Sequence, residues 1–202
     1  MTLPLPQRNR LAELVLEAFH DHAARRELEA LAADGSEEPH AAELAERAER
    51  ARRLFAGRPL DPAAAPLEMA LGQAALLFDG RLYFEVHELL EPYWLRAAGR
   101  GRETLQGLIQ VAVGFHHLSN GNGGGARALL HDGAAKLLAR EIGGIAVDAF
   151  ARAVVSALDD VIRLGVDAPA RFPWSSVPCF PSGPAREPPE ATGQGAIPGT
   201  GV

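Results

Sequence analysis

His87, Glu88 and Glu91 are the residues of this chain best suited to chemistry, because the run FEVHELLEPYW from Phe84 to Trp94 repeats an imidazole and two carboxylates at helical spacing. At 100° per residue, Phe84, His87, Glu88, Glu91 and Trp94 fall within an arc of about 120° on one face. Val86, Leu89, Leu90 and Tyr93 take the opposite arc. A histidine and a glutamate four residues apart, with His117 as a third donor, would make a ligand set for a divalent metal. Glu88 would then act as general base on a metal-bound water, in a pattern similar to the H-E-x-x-H helix of metalloproteases with glutamate in place of the second histidine. Gln110, which falls at the matching level of the next segment, is a poor zinc ligand and weighs against that reading.

The second stretch, LQGLIQVAVGFHHLSNGN from Leu105 to Asn122, carries Gln106, Gln110, Val113, His117 and Asn120 on one face, with Leu105, Leu108, Val111, Ala112 and Phe115 on the other. No Asp, Glu, Lys or Arg occurs between Thr104 and Asn120, so this helix is expected inside the bundle. A buried amide or imidazole without a partner costs roughly 1 to 3 kcal/mol, which makes the preceding polar face its natural partner. The linker from Ala97 to Arg102 is short enough to make the two helices antiparallel neighbours, with Glu91 level with Gln110 and Phe84 level with His117. The simplest outcome is a buried polar network of His87, Glu88, Glu91, Trp94, Gln106, Gln110 and His117 that fixes helix register. Pro92 removes the amide that would bond the Glu88 carbonyl, and serves either to kink the helix there or to shape its packing.

Gly121 to Gly125 offers a further option. Backbone amides at Asn122, Gly123 and Gly124, at the start of a helix, would receive a phosphate or carboxylate, with His131 two turns along. The turn lacks a P-loop lysine and a preceding strand, and Asn122 as an ordinary helix cap explains the same residues.

The order and spacing of F-x-x-H-E-x-x-E-x-x-W (Phe84 to Trp94), L-I-Q-x-A (Leu108 to Ala112), His117 and G-N-x-x-G-A (Gly121 to Ala126) resemble the small bacterial and archaeal proteins catalogued as domain of unknown function 309. The resemblance spans roughly Leu67 to Leu138. It implies an all-helical bundle and no established activity. The glycine-heavy stretch Asn122 to Gly125 departs from the family's usual helix start.

The elements that must position these residues follow from periodicity. Asn9 is read as the cap of a helix running to about Ala33, with Leu11, Leu14, Val15, Ala18 and Phe19 as its apolar stripe. His20 and His22 lie on different sides of that stripe and read as surface residues. Ala41 to Phe55 forms a charged helix in which Arg47, Arg50, Arg52 and Arg53 interleave with Glu43, Glu46 and Glu49, the pattern of a solvated face. Gly57 to Pro66, with three prolines, is a linker. Helices are then expected from Leu67 to Phe78, across the two motif segments, from Asn122 to Leu138, and from Asp148 to Leu164 with Phe150, Val154, Leu158, Val161 and Ile162 inward. Gly143 and Gly144 read as a break, and Pro169 to Phe180 as an extended segment draped over the core by Phe172, Trp174, Val177 and Phe180.

The expected architecture is therefore an all-α bundle of five or six helices built around a central antiparallel pair. Residues 1–56 form an N-terminal helical hairpin extension, 65–180 the bundle domain, and 181–202 a disordered tail with five prolines and five glycines. The N-terminal helices are also a surface for self-association. The hydrophobic content of 47% over 202 residues suffices for a core. A net charge of −6 without a dense basic patch argues against nucleic-acid or anionic-membrane partners. The single cysteine, Cys179, excludes an intramolecular disulfide and fits a reducing cytoplasm. With no signal pattern and no membrane-spanning run, the reading is a cytoplasmic structural or interaction module, with metal-dependent hydrolysis and small-anion binding as the alternatives.

Overall fold

The computed structural model describes residues 3–63 and 65–182. These residues form an all-α protein with helices α1 (Leu5–Glu17), α2 (His22–Ala32), α3 (Ala41–Phe55), α4 (Leu67–Asp79), α5 (Tyr83–Arg96), α6 (Gly99–Ser119), α7 (Gly123–Leu137), α8 (Asp148–Leu164) and the single turn α9 (Ala168–Arg171). No helix among them is long and apolar enough to cross a membrane. The tail expected to be disordered lies, from residue 183 onward, outside the described residues.

The single N-terminal helix expected from Asn9 to Ala33 is two. The first turn of α1 carries Pro6, whose fixed φ suits a helix start, and begins four residues before Asn9. The chain then turns at Ala18–Asp21, where extended Asp21 accepts the Ala23 amide at 2.8 Å and caps α2. Arg25 staples this turn to the proline linker by donating to the carbonyls of Ala18, Arg58 and Pro59.

The linker between α5 and α6 is also tighter than expected. Helix α6 begins at Gly99, leaving Ala97 and Ala98 to make the turn. The register of the pair is one residue from the sequence expectation: Phe84 stands beside His116, with ring centroids 5.6 Å apart, rather than beside His117. Pro92 lies inside α5, which continues to Arg96.

Helix α6 packs more extensively on α7 than on α5. Glycines make this possible. A Cβ added to Gly133 would stand 2.9 Å from the Gly107 carbonyl oxygen and 3.0 Å from the Val111 amide, and one added to Gly114 would stand 2.9 Å from the Leu130 side chain. Gly121, at φ +84°, ends α6 as expected, and the Asn122 side chain caps α7 by accepting the Gly125 amide.

Gly143 and Gly144 do more than break a helix. With φ of +57° and +75° they make the two-residue turn that joins strands β1 (Glu141–Ile142) and β2 (Ile145–Ala146), the backbone sign that antiparallel hairpins require. In α8 the expected inward residues are buried except Ile162, which is exposed.

One continuous apolar core joins all of these elements, including Leu11, Leu14, Val15, Phe19, Leu28, Ala48 and Phe55 of the N-terminal helices. Its aromatic centre is Phe78, which contacts Tyr83, Phe115, Phe150 and Phe180 with ring centroids 5.1 to 5.8 Å apart. The segment expected to be extended from Pro169 instead starts in the turn of α9 and holds a 3-10 turn at Trp174–Ser176. It closes over this centre: Phe172 and Phe180 are buried, and the Phe180 amide donates to Asp79 at 3.0 Å.

Candidate functional site

The α5–α6 pair places the polar residues of both motifs on neighbouring faces, because Val86 and Leu90 of α5 and Leu105, Leu108, Val111, Ala112 and Phe115 of α6 are all drawn into the core. His87, Glu88, Glu91, Trp94, Gln106, Gln110 and His117 are each half-buried rather than enclosed. The long uncharged stretch of α6 thus borders a furrow that water reaches.

Their bonds are local. His87 Nδ1 and Glu88 Oε1 are 2.8 Å apart on the same helix. His117 Nδ1 meets the Asn122 side-chain amide at 2.9 Å, and that asparagine spends its carbonyl oxygen on the Gly125 amide. The Arg102 guanidinium lies 4.4 Å above the Trp94 ring. Among the described residues, no side-chain hydrogen bond links His87, Glu88 or Glu91 to Gln106, Gln110 or His117, and Trp94 Nε1 and Gln110 Oε1 are shielded from water without a partner. Nor do any three His, Cys, Asp or Glu side chains among the described residues stand close enough to hold a metal ion.

The tightest polar contact of this region involves residues outside that face. Glu85, fully buried, accepts a hydrogen bond from the Arg47 guanidinium at 2.6 Å. Arg47 therefore corrects the reading of α3 as a solvated face throughout: it points into the protein, whereas Arg50 pairs with Glu46, and Arg52 and Arg53 share Glu49. Those two arginines lower the half-buried Glu49 carboxyl to about 2. Nothing in the periodicity separates Arg47 from its neighbours except its place on the stripe of Leu44, Ala48, Ala51 and Phe55, where a charge needs a buried partner.

Around Glu85 the N-terminal helices complete the site. Arg8 of α1 lies 4.1 Å from the centroid of the Phe84 ring, and His116 stands on that ring as well. Burial pushes His116 down to about 4, with Arg47, Arg8, His117 and His87 adding to the effect, so the imidazole is neutral near pH 7. Its Nε2 is 2.9 Å from the Asn120 side-chain nitrogen.

With this geometry in place, the match to known proteins is informative. Residues 71–129 match the family model described as Domain of unknown function (DUF309). The resemblance expected from the motifs is thereby borne out over those residues. The DUF309 segment contains both motif stretches, Glu85 and His116, but neither Arg8 nor Arg47, which come from helices in front of it. No curated protein and no solved structure matches the chain.

Proposed function

We propose that the protein is an interaction module whose half-buried furrow between α5 and α6 receives a basic segment of a partner protein. The observation that carries this reading is the unspent acceptor capacity of the furrow: Glu91 is half-buried and forms no ion pair among the described residues, and Gln110 Oε1 behind it has no partner. The register given by Phe84 and His116 sets Glu91 level with Ile109 and Gln110, so these acceptors share one stretch of the furrow. Glu88 adds a second carboxylate beside them, tied only to its neighbour His87. Acceptors held at a rim by rigid helices cost little entropy to engage, and a Lys or Arg side chain meets two or three of them at once.

The test is affinity capture from cells followed by cross-linking, with the wild type compared against Glu88→Gln/Glu91→Gln. Both side chains are half-exposed, so the double variant is expected to keep its fold, which circular dichroism checks. A partner that cross-links to the furrow in the wild type, and is released by the double substitution and by salt, supports the module. The same partners held equally by both proteins would overturn it.

A further inference from the structure

Beside the Arg47–Glu85 pair lies a cleft of about 800 Å³, walled by α3, by Arg81 just before α5 and Tyr83 at its start, by His116 and Asn120 near the end of α6, and by Trp174 of the segment after α9. None of the residues assigned to the furrow lines it; their neighbours on α6, His116 and Asn120, do.

Its polar groups are unevenly satisfied. Two of the three acids are paired with arginines, Glu46 with Arg50 and Glu49 with Arg52 and Arg53, whereas Glu43 accepts only the Leu3 amide among the described residues. Donors remain. Tyr83 is 3% exposed, yet its hydroxyl has no hydrogen-bond partner among the described residues, and neither has the shielded Nε of Arg50. Arg81 pairs with no carboxylate among the described residues and rests 5.6 Å from the Trp174 ring. With Arg47 committed to Glu85, Arg50, Arg53 and Arg81 face Glu43, Glu46 and Glu49 across the lining, and of these three arginines Arg81 alone has no carboxylate partner among the described residues. A buried donor left without an acceptor costs about 1 to 3 kcal/mol, so leftover donors beside cations mark a place for oxygen atoms carrying negative charge.

We propose that this cleft binds a small organic acid, its carboxylate or phosphate held by Tyr83, Arg50 and Arg81 and its flat apolar body set against Trp174. Tyr83 and Trp174 lie nearly parallel, at 21° with centroids 6.5 Å apart, giving the body an aromatic wall. The phenol stays a donor throughout the neutral range, because burial pushes it up to about 12 although Arg81 and Arg50 pull the other way. His116, neutral near pH 7, adds no charge and leaves the arginines to set the preference. Arg47 belongs to α3 and is committed to Glu85, so its part is to hold the α3 wall against α5.

The experiment is titration calorimetry of the full chain with four probes: benzoate, phenyl phosphate, inorganic phosphate and phenol. Saturable binding of benzoate or phenyl phosphate, with phenol silent, is the expected result, and the tighter of the two acids tells carboxylate from phosphate. Inorganic phosphate binding as tightly as phenyl phosphate would remove the apolar body from the proposal and overturn that half of it. Tyr83→Phe keeps the packed ring and Arg81→Gln changes an exposed side chain, so both leave the fold intact, and each should weaken the acid roughly tenfold. No saturable binding of either acid, or equal binding by the wild type and both variants, would overturn the site. Glu88→Gln/Glu91→Gln should bind the acids like the wild type, which separates this site from the furrow.

Discussion

The Arg47 guanidinium reaches the Glu85 carboxylate at 2.6 Å across the seam between α3 and α5, with the glutamate fully buried and its second oxygen, Oε2, shielded and unpartnered. This contact ties the helices in front of the DUF309 segment to its first motif helix. A buried charge deprived of its partner is costly, whereas an apolar pair of similar volume often restores stability. Arg47→Met and Glu85→Leu are each expected to lower unfolding free energy by about 3 to 5 kcal/mol, and the double variant to recover most of it. Urea denaturation of the four proteins gives the coupling directly. Additive losses would show that the two side chains do not stabilise each other.

His116 predicts a specific pH dependence. The folded chain holds it near 4 and the free side chain near 6.5, so the unfolded state binds more protons between those values. The advantage of the neutral imidazole is complete above pH 6.5, declines as pH falls toward 4, and declines no further below that. Its full extent is about 3 kcal/mol. In His116→Gln the fall in stability across this window should be shallower by up to one proton. Parallel urea series at several pH values measure it, and identical slopes for the two proteins would refute the assignment.

Two glycine substitutions should differ in sign. An added methyl at Gly133 meets backbone atoms of Gly107 and Val111 at 2.9 to 3.0 Å, and neither can yield without separating α6 from α7. Gly133→Ala should therefore cost about 1 to 3 kcal/mol. At Gly72, inside α4, the same methyl has nothing within 4 Å. Gly72→Ala should gain about 0.5 to 1 kcal/mol from helix propensity and a less disordered unfolded chain. Calorimetric melting of both variants decides it, and a stabilised Gly133→Ala would mean that the two helices are not in this close contact.

Much of this was legible from residue spacing. Helix α8 begins and ends where its periodicity places it, α3 likewise, and the apolar face of α6 is the buried one. The break at Ala18–Asp21 leaves a mark that the single-helix reading passes over: at 100° per residue Ala24 and Leu28 fall more than 100° from the centre of the Leu11 to Phe19 stripe, and the capping side chain of Asp21 stands between the two. The polar face of α6 misled in another way. Absence of charge was read as burial, yet Gln106, Gln110 and His117 are uncharged and half-exposed because α7, not α5, takes the close approach. Arg47 is marked only by its place on the apolar stripe of α3, and Tyr83 and His116 by nothing local, because the role of each depends on contacts between separate helices.

The segment after α9 provides the last prediction, since it carries Trp174 to the cleft and must be held there. Its far end is anchored twice. Phe180 packs on Phe78 and Phe150, with centroids 5.2 and 5.5 Å away, and its amide donates to Asp79. Burial raises the Asp79 carboxyl above its ordinary value, and the Phe180 amide opposes the shift by favouring the charged form. Asp79→Ala removes the acceptor and leaves the amide without one, a loss of about 1 to 3 kcal/mol confined to this attachment. Phe180→Ala removes the buried ring and should cost about 3 to 5 kcal/mol. Both variants should speed hydrogen exchange at the amides of residues 174–180 while those of α6 stay protected, and both should weaken any acid bound against Trp174. Unchanged exchange in Asp79→Ala would show that the aromatic contacts alone hold the segment in place.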